Sequence, residues 1–273
     1  MTKPVIFSDL DGTLLDERYS FRAAEGALAL IEERGIPLVI CSSKTRAEIE
    51  LYRRKLNNQH PFIAENGGGV FVPRGYFAAD TVPSEFTLVA DADYQVIRLG
   101  TEYAQLRRAM EELRGEGFEV KGFGDMSAEV VSQLTGLSPE EATASKERDF
   151  DEPFLFQGDR AQLPLLYRAI RKKGFRYTEG RFFHILGESD KGKAVTLLSA
   201  LYRAKHGEIV TIGIGDSPND IPMLKSVNYP IIVKHPDGTF DPRIHLGWVI
   251  KADGVGPEGW NKAILQLIKG LAP

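Results

Sequence analysis

Short, wholly apolar runs recur toward both ends of the chain, each followed by a polar loop and then by a helical period. Residues 4–8 and Pro37-Leu38-Val39-Ile40-Cys41 are such runs, the pattern of strands buried on both faces. Between them Ser20 caps a predicted helix with apolar positions at Ala24, Ala27, Leu28 and Ile31, and Gly35 ends it. Thr45 followed by Glu48 fits a capping box and predicts a helix over 46–56. Pro61-Phe62-Ile63-Ala64 is a third strand, and Asn66-Gly67-Gly68-Gly69 turns the chain into Val70-Phe71-Val72. Strand and helix in strict alternation predict a parallel sheet covered on both sides.

The rhythm breaks in the middle third. Two strands are expected over 86–99 around Asp91-Ala92-Asp93, then a long helix over 101–114 and a loop at 122–125. Short helices follow at 127–134 and 139–147, the second opened by Ser138-Pro139-Glu140-Glu141. A strand at 154–156, a helix at 160–173 and strands at 175–178 and 181–185 complete a mixed α+β module. Alternation returns at about 187 with a helix over 190–204 and the apolar strand 209–214. Ser217-Pro218-Asn219-Asp220 opens another helix, strands are expected at 230–233 and 248–250, and the last helix covers 257–270. The fold class is therefore α/β. A Rossmann-like parallel-sheet core is split between residues 1–82 and 187–273, with the α+β module inserted over 83–186.

Composition narrows the function. Hydrophobic residues make up 42% and charged residues 26% of the 273 residues, the balance of an ordinary globular protein. The net charge of −4 and pI near 5.8 speak against a nucleic-acid partner, which calls for a basic face. No apolar run approaches the ~18 residues that a transmembrane helix requires. No signal-peptide core is visible either, so a cytoplasmic location without membrane attachment is expected. Cys41 is the single cysteine, which rules out an intrachain disulfide and a cysteine-rich zinc site.

Chemistry gathers at the predicted strand ends. Asp9-Leu10-Asp11-Gly12-Thr13 closes the first strand, where open α/β sheets bind ligands. Two carboxylates two residues apart suit a hard cation such as magnesium, and also a division between nucleophile and proton carrier. A polar turn is the plain alternative. Gly215-Asp216-Ser217-Pro218-Asn219-Asp220 follows another buried strand, so Asp216 and Asp9 can meet at one sheet edge; a capping carboxylate is the alternative for Asp220. Ser42 and Ser43 follow the second strand. Lys191 opens the 190–204 helix, where the helix dipole disfavours a cation, and an anion facing it would explain the placement.

Taken in order, these elements resemble the haloacid dehalogenase-like phosphohydrolase superfamily, with the middle module in the place of that superfamily's larger cap. The resemblance implies Asp9 as nucleophile and Asp11 as general acid/base. Ser42, with Ser43 as the alternative, would hold the phosphoryl group and Lys191 would neutralise it. Magnesium would be held by Asp9, by the backbone carbonyl of Asp11, and by Asp216 and Asp220. The loops at 41–45, 65–69, 122–126, 134–137, 151–152 and 180–184 are further similar to the mannosyl-3-phosphoglycerate phosphatase family. That likeness implies a phosphorylated sugar-glycerate substrate. Arg148 and Arg181 would clamp its carboxylate, and Lys44, Glu65, Asn66, Glu152 and His184 would meet its hydroxyls or its glycerate. The competing expectations are a phosphatase for glucosyl-3-phosphoglycerate, sucrose phosphate or a hexose phosphate, and a non-catalytic phosphosugar-binding protein. The oligomeric state is not legible.

Overall fold

The computed structural model describes residues 2–78 and 88–270. The first elements are β1 (Lys3–Ser8), α1 (Glu25–Glu33), β2 (Leu38–Cys41), α2 (Arg46–Lys55), β3 (Phe62–Ala64), β4 (Gly69–Pro73), β5 (Leu88–Ala90) and β6 (Tyr94–Arg98). The middle of the chain gives α3 (Tyr103–Gly115), β7 (Val120–Gly122), α4 (Ala128–Thr135), α5 (Pro139–Ala144), β8 (Asp151–Phe156), α6 (Leu163–Lys172), β9 (Arg176–Glu179) and β10 (Phe183–Leu186). The chain then forms α7 (Lys191–His206), β11 (Ile209–Gly215), α8 (Ile221–Lys225), β12 (Tyr229–Lys234), β13 (Ile250–Val255) and α9 (Gly256–Gly270).

A nine-stranded sheet in the order β13-β12-β11-β1-β2-β3-β4-β6-β5 forms the core, parallel from β13 through β3. The central strands β2 and β3, and β1 from Val5 to Phe7, are apolar because both faces are covered. Val5 and Phe7 of β1 point into one cluster with Leu198, Leu201 and Tyr202 of α7; Ile6 points into the other, with Trp260 and Ile264 of α9. That division follows the two-residue period of a strand. The chain leaves β1 toward β2 on one side and returns to its other side as β11. The loops after β1, β2 and β11 therefore splay apart at one topological switch point.

A second, four-stranded antiparallel sheet, β7-β8-β10-β9, is backed by α3 and α6 through Leu106, Met110, Leu113, Leu166 and Ile170. Its short helices α4 and α5 rest on Phe123, Met126 and Leu137 and reach the core at Tyr19. Thr45, which caps α2 by accepting from the Glu48 amide, donates to the Ala144 carbonyl at 2.8 Å and so fastens α5 to the core.

Several elements differ from the pattern-based expectation. The boundary after residue 82 and the start of the strand expected from residue 86 lie outside the described residues. Beyond them, β5 and β6 pair antiparallel with the core sheet through β4. Among the described residues the inserted module therefore begins only at α3. β7, three residues that end on the first residue of the loop expected at 122–125, is not anticipated; it survives by pairing with β8. The helix expected after Ser217 is a 3-10 turn followed by the five-residue α8. The strand expected at 248–250 starts at Ile250, and Trp248 stands exposed before it.

Candidate active site

The three loops at the switch point carry Asp9 and Asp11, Ser42 and Ser43, and Asp216 and Asp220. Ser8, fixed by a 3.0 Å hydrogen bond from the Trp260 indole, donates to the Asp9 carbonyl, and the Asp9 amide donates to Ile214 of β11. Leu10, Leu14 and Leu15 are fully buried, so the loop after β1 is anchored by its apolar side chains while Asp9 and Asp11 border the cavity. Gly12 has φ +76°, and a Cβ there would lie 2.8 Å from the Asp216 carboxylate. Only glycine allows the two acidic loops to approach this closely. Thr13 donates to Asp216 Oδ1 at 2.8 Å.

Carboxylate oxygens of Asp9, Asp216 and Asp220 lie within 4.8 Å of one another. Lys191 Nζ stands 2.7 Å from Asp9 Oδ1 and 2.6 Å from Asp220 Oδ1. The other oxygen of Asp220 accepts the Asp216 and Ser217 amides, so this residue is both cap and cluster member. Burial pushes the Asp9 carboxyl well above the ordinary carboxylate range; Lys191 opposes this, and Asp220 and Asp216 add to it. Burial likewise raises Asp216, against hydrogen bonds from His235 and Thr13. Burial alone would lower Lys191, but Asp220 and Asp9 outweigh it and hold the ammonium charged. Three buried carboxylates against one lysine leave an excess of negative charge, and the donors are all oxygen. That set fits a hard divalent cation such as Mg²⁺.

The Asp11 carboxylate stands outside this cluster, which leaves its backbone carbonyl as the expected contribution to the metal. The carboxylate is half exposed and pairs with Lys44 Nζ at 2.9 Å. Lys44 also reaches Glu48 at 3.3 Å and lies 5.1 Å above the Tyr19 ring. Ser42 is buried, and its Oγ accepts from the Lys44 amide at 3.2 Å. Ser43, not Ser42, borders the cavity.

That cavity, about 1090 Å³, lies between the switch point and the inserted module. Asp9, Asp11, Lys44 and Asp216 form part of its core wall, and Arg148, Arg181, Phe182 and His184 part of the opposite wall. Arg148 is buried; its Nε donates to the Ser145 carbonyl and its Nη1 to the Ser43 carbonyl. Arg181 donates to the Thr135 and Leu134 carbonyls and to the Tyr19 hydroxyl. Both arginines are thus partly committed to positioning the wall.

Three expected substrate contacts do not border the cavity, and each has its polar atoms engaged elsewhere. Glu65 accepts the Asp149 and Phe150 amides at 2.8–3.1 Å. Glu152 accepts from Arg107, Tyr103 and the Gly124 amide. Asn66 donates to Asp151 and accepts from Asn219. Glu65 and Asn66 both adopt left-handed φ, +50° and +54°, in the turn that meets residues 149–151 of the module. His235, one residue past β12, was missed. Its Nε2 lies 3.0 Å from the Asp216 carbonyl and 3.3 Å from its carboxylate, and the hydrogen bond to Asp216 lifts it to about 9.

Burial raises Glu65 to about 8 despite its backbone donors and Arg148. Its folded pKa exceeds the unfolded one, so the folded state binds the extra proton and stability falls as pH rises from about 4.5 to 8. Glu65→Gln should therefore gain stability relative to the parent over that window, on the order of 2–4 kcal/mol, in urea titrations at pH 5, 7 and 9. A parent-variant difference that does not change with pH would contradict this.

The switch-point sheet, the acidic cluster beside a buried lysine and the facing module define a haloacid dehalogenase-like hydrolase. The chain belongs to that family, whose sequence model matches residues 6–89 and 163–237. It is 46% identical over 269 residues, 97% of each chain, to the glucosyl-3-phosphoglycerate/mannosyl-3-phosphoglycerate phosphatase of Methanococcoides burtonii. It is 38% identical over 234 residues to the mannosyl-3-phosphoglycerate phosphatase of Pyrococcus furiosus, covering 84% of this chain and 90% of that one. A solved structure from Thermoplasma acidophilum shares the fold with TM-score 0.69 at 18% identity, over 99% of this chain and 98% of its own. Among the described residues no helix is long and apolar enough to cross a membrane.

Proposed function

We propose that the chain is a Mg²⁺-dependent phosphomonoesterase that hydrolyses 2-O-mannosyl-3-phosphoglycerate to mannosylglycerate and phosphate, with the glucosyl analogue as a second substrate. The observation that carries this is Asp9 on the cavity wall, its carboxylate 2.7 Å from Lys191 and beside Asp216 and Asp220. The relatives named above support the substrate. The cavity volume lies just above the usual range for small-molecule sites, enough for a sugar joined to phosphoglycerate.

Asp9 attacks phosphorus while the bond to the glycerate oxygen breaks, giving an aspartyl phosphate. Asp11, half exposed on the cavity and oriented by Lys44, gives its proton to the departing oxygen. It then takes one from the water that cleaves the acyl phosphate, which restores both residues. Lys191 offsets charge on the phosphoryl oxygens, and the Ser42–Ser43 segment holds them. When bound by Asp9, Asp216 and Asp220, with the Asp11 carbonyl, Mg²⁺ supplies further charge neutralisation at the transferring group. Catalysis then rests mainly on positioning and electrostatics.

The test is phosphate release from a panel: the mannosyl and glucosyl phosphoglycerates, sucrose phosphate, a hexose phosphate and p-nitrophenyl phosphate. Expected are a preference of at least about ten-fold in kcat/KM for the phosphoglycerates, ~1.4 kcal/mol, and loss of turnover in EDTA that Mg²⁺ restores. A preference for the simple hexose phosphate would overturn the substrate. No release from any member would leave only a binding function.

A further inference from the structure

A chain of hydrogen bonds runs from one wall of the cavity, through the protein, to the other. Ser217 Oγ donates to Asn219 Oδ1 at 2.8 Å, and Asn219 Nδ2 donates to Asn66 Oδ1 at 3.1 Å. Asn66 Nδ2 donates to Asp151 Oδ2 at 2.7 Å, and the second Asp151 oxygen lies 2.7 Å from His184 Nδ1. Ser217 and Asn219 border the cavity beside the acidic cluster, and His184 borders it from the inserted module. Asp151 and Asn66 are buried between them.

Asp151 fixes the direction of every bond in the chain. Its carboxyl is held below the usual range: burial opposes this, but His184, Arg148 and Asn66 prevail. An ionised carboxylate only accepts. Hence the Asn66 amide nitrogen must face it, the Asn66 oxygen must face Asn219, and the His184 proton must sit on Nδ1. That leaves Nε2 as the free polar atom of His184: an acceptor in the neutral ring and a donor in the protonated one.

We propose that Asp151 is a positioning residue. It locks His184 in the Nδ1–H tautomer so that Nε2 accepts a hydrogen bond from a sugar hydroxyl of the substrate. Asn66 and Asn219 hold that acceptor in register with the loop carrying Asp216 and Asp220. The substrate part of this rests on the function proposed above; the tautomer does not.

The test uses Asp151→Asn and His184→Asn in the full chain. Asparagine at 151 presents an N–H to one of its two neighbours, and the acceptor-only face is lost. His184 then rotates or moves its proton to Nε2. Asparagine at 184 retains an N–H able to reach Asp151 and deletes the distal acceptor. In ¹H–¹⁵N correlation spectra the parent should show His184 protonated at Nδ1, and Asp151→Asn should lose that pattern. Both variants should lower by at least about ten-fold the ratio of kcat/KM for 2-O-mannosyl-3-phosphoglycerate to that for p-nitrophenyl phosphate, mainly through KM. An Nε2–H tautomer or a ring protonated on both nitrogens in the parent, an Nδ1–H pattern retained in Asp151→Asn, or a lost pattern with an unchanged ratio, would overturn the proposal. Should the parent ignore phosphoglycerates altogether, the substrate reading fails, and the spectra still decide whether Asp151 sets the tautomer. Where Asp151→Asn does not fold, the ratio in His184→Asn decides.

Discussion

Asp9→Asn is expected to remove at least about 10⁴-fold of turnover, on the scale seen when a covalent nucleophile is deleted, while the fold survives. The amide has nearly the volume of the carboxylate, and its oxygen can still accept from Lys191, now 2.7 Å from Asp9 Oδ1. What is lost is the anionic nucleophile, and with it the aspartyl phosphate. The neighbourhood also gains. Asp9 is buried beside Asp216 and Asp220, and removing one of three clustered charges relieves repulsion that burial intensifies. Denaturation of the variant in EDTA should therefore show stability equal to or above the parent's, the usual relation between an active site and its scaffold. Phosphate release from 2-O-mannosyl-3-phosphoglycerate measures the first effect and a urea titration the second. Turnover within ten-fold of the parent would remove Asp9 as nucleophile. A large loss of stability would mean that its charge is needed to balance Lys191.

The site was legible where one strand end decides a residue's place. β1 and β11 are apolar on both faces, so the polar residues that end them, Asp9 and Asp216, had to emerge at the carboxyl edge of a parallel sheet. Lys191 was legible through a conflict with the helix dipole. Asp11 beside Lys44, and Glu152 beside Arg107 and Tyr103, depend on partners far away in sequence, and no local pattern carries such pairings. The same holds for β5 and β6. Their apolar residues read as strands, but which sheet they join is decided by antiparallel pairing with β4. Glu65 and Asn66 were recognised by motif and assigned to substrate. Their left-handed backbone and engaged side chains instead secure the passage between the two sheets. His235 carried one signal, its position just past a buried strand, and no motif around it.

Lys191→Met should affect stability and activity together. Lys191 is fully buried at the first turn of α7, where the aligned peptide dipoles repel a cation. Its ammonium is held there by Asp9 and Asp220 at 2.7 and 2.6 Å. Asp190 caps the helix by accepting the Lys193 amide, so α7 itself does not need the lysine. Methionine fills a similar volume without charge and leaves Asp9, Asp216 and Asp220 clustered with no buried cation among them. Removing one partner of a buried ion pair costs about 3–5 kcal/mol, a fall of roughly 6–20 °C in Tm for a chain of this size. Added Mg²⁺ should recover part of it, because an ion bound only by the folded state stabilises that state, and the extra anionic character favours binding. Turnover should not recover in parallel. Mg²⁺ satisfies the carboxylates but does not replace the ammonium at the phosphoryl oxygens, so a loss of at least ~10²–10³-fold should persist at saturating Mg²⁺. Thermal melts and phosphate release across a Mg²⁺ titration separate the two effects. Full recovery of both would make Lys191 a counter-ion to the cluster and nothing more; an unchanged Tm in EDTA would mean that the carboxylates do not depend on it.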